Sequence, residues 1–332
     1  MKRREFIAGG ISAATVSRLA AQPAGTSQRL ALFSPAEPSA QMHDRSENRY
    51  YQALFDELRR LGHVEGKNLT VERYGSEQNT SGFAAMAAEV MRSNPDVVYV
   101  VGPGAVFFKN AGAKMPIVTM TADPVAQGLA RSLARPGDDI TGVSVDAGPS
   151  IHGKRIALLR EMYPAMSKLA FVTLRVAWEG IQGPAVRAAA ETAGIALVGI
   201  PLGFPASEAD YRSAIASATR EGVDAIMVGD SPDVVRNRAL IPDLIGAAKL
   251  PAIYPFFELV EAGWLMAYAF DLVELNKRVA NNIDAILRGA NPGEIPFYQA
   301  SKFELSINLK TARTLGLAVP ATLSASADKV IE

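Results

Sequence analysis

Asp96-Val-Val-Tyr-Val-Val101, closed by Gly102-Pro103-Gly104-Ala105, is the stretch on which the fold turns. A continuous apolar run rich in β-branched residues and stopped by glycine marks a strand buried on both faces of a parallel sheet. Parallel strands need crossover connections, usually helical, and the flanking sequence supplies them. Upstream, Arg29–Ser34 reads as a strand ended by Pro35. Leu54, Phe55, Leu58 and Leu61 then recur at helical spacing over Tyr50–Leu61, with Gly62 as the stop. Asn68–Tyr74 alternates as a strand, Phe83–Arg92 reads as a helix, and Pro116–Met120 repeats the apolar strand pattern.

After Val143 the cycle restarts. A helix around Gly153–Met162 precedes a strand over Lys168–Thr173, and a helix over 182–193 stops at Gly194 before a strand over Ile195–Ile200. A helix over 207–221 ends at Gly222, Asp224–Gly229 is a strand, and a single helix over 235–248 leads to the strand Pro251–Tyr254. Strand and helix alternating in two successive runs predict an α/β chain of two doubly wound, Rossmann-like lobes. The tail adds a helix near Leu272–Arg288, an extended segment near Phe303–Asn308 and a last helical turn at Leu309–Leu315. It is too short for a third domain and must pack back onto the first two. Ligands of open α/β sheets bind beyond the carboxyl ends of the strands, so two facing sheets share a central cleft and suit a hinged clamp.

Composition narrows the chemistry. The 332 residues carry 34 basic and 34 acidic side chains, with 48% hydrophobic and 20% charged residues. That balance excludes bulk disorder, and it gives no basic stretch for nucleic acid. Cysteine is absent, and the histidines are His43, His63 and His152, far apart in sequence. Thiol nucleophiles, Cys-ligated zinc, Fe–S clusters and a lipoprotein anchor are thereby removed, and no cofactor or metal is expected. Residues 1–24 read as an export signal: Lys2-Arg3-Arg4, an apolar run from Phe6 to Val16, then Ala20, Ala21 and Ala24. The run is too short to span a bilayer, and Arg3-Arg4-Glu5-Phe6-Ile7 resembles a twin-arginine signal. Removing it takes away Lys2, Arg3, Arg4, Arg18 and Glu5, leaving 30 basic against 33 acidic groups, a net −3. The expected location is periplasmic, with no membrane anchor.

Several segments resemble one family. They include Gly62–Leu69 (a "G-x-x-x-G-K-N-L" run), Pro116-Ile-Val and Asp123-Pro124-Val125-Ala126-Gln127-Gly128-Leu129. Ser132–Gly137 with Ile140-Thr-Gly142, Phe303–Ala312, Leu315–Pro320 and the ending Ala327–Glu332 continue the likeness from about Leu30 onward. Together they resemble the ABC-transporter substrate-binding proteins similar to tryptophan- and phenylalanine-binding members. The resemblance implies a type I periplasmic-binding fold with three inter-lobe crossings. Lobe 1 is then 29–143 plus about 271–300, and lobe 2 is 144–270 plus about 301–332. It also implies a monomer that meets a small-molecule ligand and an ABC permease in the inner membrane. The chain departs from the family pattern at Arg135-Pro-Gly-Asp-Asp139, at Ala267-Tyr-Ala269 and at Gly263-Trp264, whose indole either fills the cleft mouth or packs on a lobe.

Candidate contacts sit at strand ends. Gly102, Pro103, Gly104 and Ala105 let a ligand approach backbone N–H groups, or simply meet the φ demands of a turn. Thr119, Thr121 and Asp123 offer hydroxyls and a carboxylate for an ammonium, although Asp123 before Pro124 also suits a turn. Ser34 has the same ambiguity. In the second lobe Thr173-Leu174-Arg175 ends a strand, where Arg175 could clamp a carboxylate bidentately, against the alternative of a solvated charge. Asp230 is a second partner for an amine or a helix cap, and Tyr254 and Tyr268, with Trp178 and Phe256, are candidates to stack on a flat ligand. With no dinucleotide fingerprint and no paired carboxylates, the reading is a non-catalytic carrier of an amino acid or related carboxylate. The alternatives are a ligand-sensing domain for a membrane receptor, or an enzyme on a Rossmann-like scaffold.

Overall fold

A computed structural model describes residues 27–332 apart from residues 36, 79–81, 146, 147, 149, 181, 257, 301 and 302. The expected export signal lies outside the described residues. Five parallel strands build the first sheet: β1 (Gln28–Phe33), β2 (Leu69–Tyr74), β3 (Val97–Val101), β4 (Ile117–Thr121) and β5 (Ile140–Ser144). Five more start the second: β6 (Lys168–Leu174), β7 (Ala196–Leu202), β8 (Ala225–Val228), β9 (Ala252–Tyr254) and β10 (Met266–Ala269). The tail contributes β11 (Tyr298–Gln299) to the first sheet, and β12 (Glu304–Asn308) and β13 (Lys329–Ile331) to the second. The spatial orders are β11-β5-β4-β3-β1-β2 and β13-β12-β10-β9-β8-β6-β7.

The fold is therefore the expected pair of Rossmann-like lobes, and the chain crosses between sheets three times, after β5, after β10 and after β11. One pairing departs from the all-parallel expectation, because β12 runs antiparallel to β10. The cause is topological. β11 ends at the cleft, so the strand that follows the last crossing must start there and run the opposite way.

Helices cover both faces of each sheet. Arg49–Arg60 and Leu272–Leu287 pack on each other over one face of the first sheet, and Tyr99 donates from that face to Asn276 Oδ1 at 3.2 Å. Asn48 caps the first of these helices, its side chain accepting from Tyr50 N. The helix expected over 235–248 is split into Pro232–Arg236 and Leu240–Ala247. Pro242 explains the break: its ring would clash with the carbonyl of residue 238 in a continuous helix, whereas it fits the first turn of a new one.

Candidate ligand-binding cleft

The carboxyl ends of β1, β3 and β4 face those of β6 and β8 across a cavity of about 480 Å³ lined from both sheets. That volume lies in the range of small-molecule sites. Among the described residues its walls carry the rings of Tyr50 and Tyr51 from the start of helix Arg49–Arg60, Tyr99 from β3, and Phe256 beyond β9. Burial raises the Tyr51 and Tyr99 hydroxyls well above the usual phenol range, so both are neutral donors.

One end is a polar cluster. Ser34 Oγ accepts from Glu37 N at 3.1 Å, and Asn48 Nδ2 donates to Glu37 Oε1 at 3.2 Å. Burial raises the Glu37 carboxyl, while Asn48, Arg238 and Arg236 pull it back. Across the cavity Asp230 meets the guanidinium of Arg155 at 3.2 Å, and Arg155 is wholly buried, its Nε donating to the Tyr268 carbonyl at 2.9 Å. His152 beside them is held neutral, its pKa lowered to about 3 by burial and then by Arg155. Asp123 Oδ1 accepts from Val125 N and Ala126 N, both at 2.9 Å. Among the described residues no lysine or arginine lines the cavity, so its charged lining consists of carboxylates alone.

Two carboxamides complete the wall. Thr121 Oγ1 donates to Gln127 Oε1 at 2.7 Å on the first lobe, and Thr173 Oγ1 donates to Gln182 Oε1 at 3.0 Å on the second.

Of the residues the sequence singles out, the cavity gathers Ser34, Gly102, Pro103, Thr121, Asp123 and Asp230, with Phe256. The others lie elsewhere. Gly104 is needed for packing, since a Cβ there would meet Phe33 and Val100 at 2.9 Å, and Ala105 beside it is fully buried. Thr119 sits one pleat below Thr121 and donates to the Val100 carbonyl at 3.0 Å. Thr173 stands behind Gln182. Arg175 is solvated and pairs with Glu179 at 3.6 Å, the surface-charge alternative. Tyr254 is buried against Trp264, ring centroids 4.0 Å apart, while Tyr268 packs on Phe303. Trp264 itself donates to the Arg238 carbonyl at 2.8 Å and is wholly buried, so its indole packs on the lobe. Trp178 stacks with Arg187. Glu37, Asn48, Tyr50, Tyr51, Tyr99, Gln127, Gln182 and Asn276 also line the cavity, and a position at a strand end does not single them out. The Asn48 cap before Tyr50-Tyr51 was the available signal for two of them.

Residues 40–331 match the family described as ABC transporter substrate binding protein. A tyrosine-binding protein of Clostridioides difficile (strain R20291) is 22% identical over 286 residues, covering 82% of this chain and 77% of the relative. A conserved domain protein of Vibrio cholerae superposes with a TM-score of 0.79 at 25% identity, over 92% of this chain and 100% of its own. An ABC domain from Streptococcus pneumoniae in complex with L-Trp superposes with a TM-score of 0.77 at 22% identity, with the same coverage. The architecture is that of a type I periplasmic binding protein.

Proposed function

The chain belongs to the ABC transporter substrate-binding protein family, and from that premise we propose that it captures a small aromatic amino acid between its lobes and hands it, unaltered, to an ABC permease. The observation that carries the reading is the cavity itself, shared by both lobes, walled by the rings of Tyr50, Tyr51, Tyr99 and Phe256 and, among the described residues, charged by carboxylates alone. Rings bury a flat side chain, and an acidic lining favours an ammonium group. Asp123 is the residue assigned to that ammonium, because Asp230 is already balanced by Arg155. The tyrosine-binding and L-Trp-bound relatives point to the same ligand class. Contacts from both lobes make ligand binding favour the closed state, which the permease reads.

A thermal-shift screen of residues 25–332 tests this. L-tyrosine, L-tryptophan or L-phenylalanine is expected to raise Tm, a ligand at 100 times its Kd adding about 2.7 kcal/mol. Stabilisation by sugars or nucleotides alone would sink the reading. Twin-arginine export to the periplasm belongs to the same proposal. Replacing Arg3-Arg4 by Lys-Lys is expected to retain the precursor in the cytoplasm on fractionation, and normal export would point to the general secretory route.

A further inference from the structure

Resting on that reading, we infer that the Gln127 and Gln182 carboxamides form a carboxylate clamp that spans the cleft, each amide oriented by a threonine hydroxyl. An amino acid brings a carboxylate into a cavity that no described arginine or lysine lines. Burying it without partners is costly, so neutral donors must take it. The two glutamines are built as such donors. Thr121, the last residue of β4, donates to Gln127 Oε1 at 2.7 Å, and Thr173, next to last in β6, donates to Gln182 Oε1 at 3.0 Å. A hydroxyl bound to the amide oxygen turns the NH₂ end away from itself, and no described residue accepts from either Nε2.

The device occurs twice, once on each sheet, and both glutamines line the one cavity. A carboxylate that accepts from both therefore bridges the lobes, and its binding energy is spent on holding them closed. Thr121 and Thr173 are positioning residues that act through the amides. Asp123 takes the ammonium, which places the two charged ends of a zwitterion on different groups.

The test compares each L-amino acid with its decarboxylated amine: tyrosine with tyramine, tryptophan with tryptamine, phenylalanine with phenethylamine. Calorimetry uses the wild type, Q127E and Q182E. Glutamate keeps the oxygen that accepts from threonine and replaces the donor with a negative oxygen. Wild type is expected to favour the amino acid over its amine, and each variant to lose about tenfold or more in amino-acid affinity, the scale of a hydrogen bond to a charged group. Amine affinity in the variants is expected to hold or rise, which also shows that they fold. Thr121→Val and Thr173→Val are expected to lose severalfold for the amino acid only. Parallel losses for acid and amine, or no loss for either, would overturn the clamp while leaving the carrier reading intact. Failure of wild type to bind any of the three amino acids would overturn that reading, and the clamp with it.

Discussion

Asp230 and Asp123 look alike in sequence, each an acid just past a strand, yet their surroundings separate them. Asp230 balances Arg155, whose side chain is wholly buried, so Asp230→Ala leaves a charge in the core without its partner. It is expected to cost about 3–5 kcal/mol of stability in denaturant titration. Asp123→Asn keeps the oxygen that accepts from Val125 and Ala126 and removes only the charge. That variant is expected to keep its Tm and to lose about tenfold in affinity for the amino acid and its amine alike; unchanged affinity would remove Asp123 from the ammonium site. A third acid, Asp233, is fully buried, and burial raises its carboxyl from the ordinary 3.8 to about 6 against the opposing hydrogen bond from Ala206 N. A carboxyl raised on folding binds its proton more tightly in the native state. Its contribution is fully present at low pH and is lost as pH rises from about 4 to 6. Asp233→Asn is therefore expected to gain stability relative to wild type across that window, by something on the order of 3 kcal/mol. A constant gap in Tm between pH 4 and 7 would contradict it.

At the scale of elements, turns decide what the strands can present. Gly102 closes β3 with φ +69°, a conformation that favours glycine, and a Cβ there would meet Pro232 Cγ of the opposite lobe at 2.9 Å. The turn is thus both a cavity wall and a point where the lobes touch. Gly102→Ala adds left-handed strain of about 1–2 kcal/mol and a clash that grows as the lobes close. It is expected to weaken ligand affinity by more than the Tm loss alone explains, and small-angle scattering should show less compaction on adding ligand. Equal compaction in the variant would relegate Gly102 to turn geometry. Trp264 shows the opposite outcome for a residue read near the cleft. Its indole is consumed by Tyr254 and the Arg238 carbonyl, so an apparent departure in the binding region is core packing.

For the whole molecule, side chains of the two lobes meet at the rim of the cleft as well as at the crossings. Phe83 of the first lobe meets Phe204 of the second with centroids 5.7 Å apart, Arg49 reaches Glu261 at 3.4 Å, and Arg238 reaches Glu47 at 3.8 Å. The ion pairs are largely exposed and add little, whereas an aromatic pair is worth about 0.5–1.5 kcal/mol beyond its buried area. Phe204→Ala is expected to shift the ligand-free protein toward the open form and to weaken binding severalfold without altering selectivity between amino acid and amine. A selectivity change would place Phe204 in the site instead of the latch.

The order of strands and helices, the two-lobed division of labour and the glycine stops were readable from the sequence, because periodicity and turn chemistry are carried by residues a few positions apart. The readings of Ser34, Gly102, Pro103, Thr121, Asp123 and Asp230 as cavity residues followed from the same rule about strand ends. What the sequence left open was which side chains remain available once the chain has packed. Thr119 is spent on a neighbouring strand, Tyr254 on an indole, Asp230 on an arginine that nothing nearby announces, while Tyr50, Tyr51, Gln127 and Gln182 become cavity wall. Only the tertiary structure decides such matters, since burial and charge pairing join residues far apart along the chain, and no local pattern encodes the distance between them.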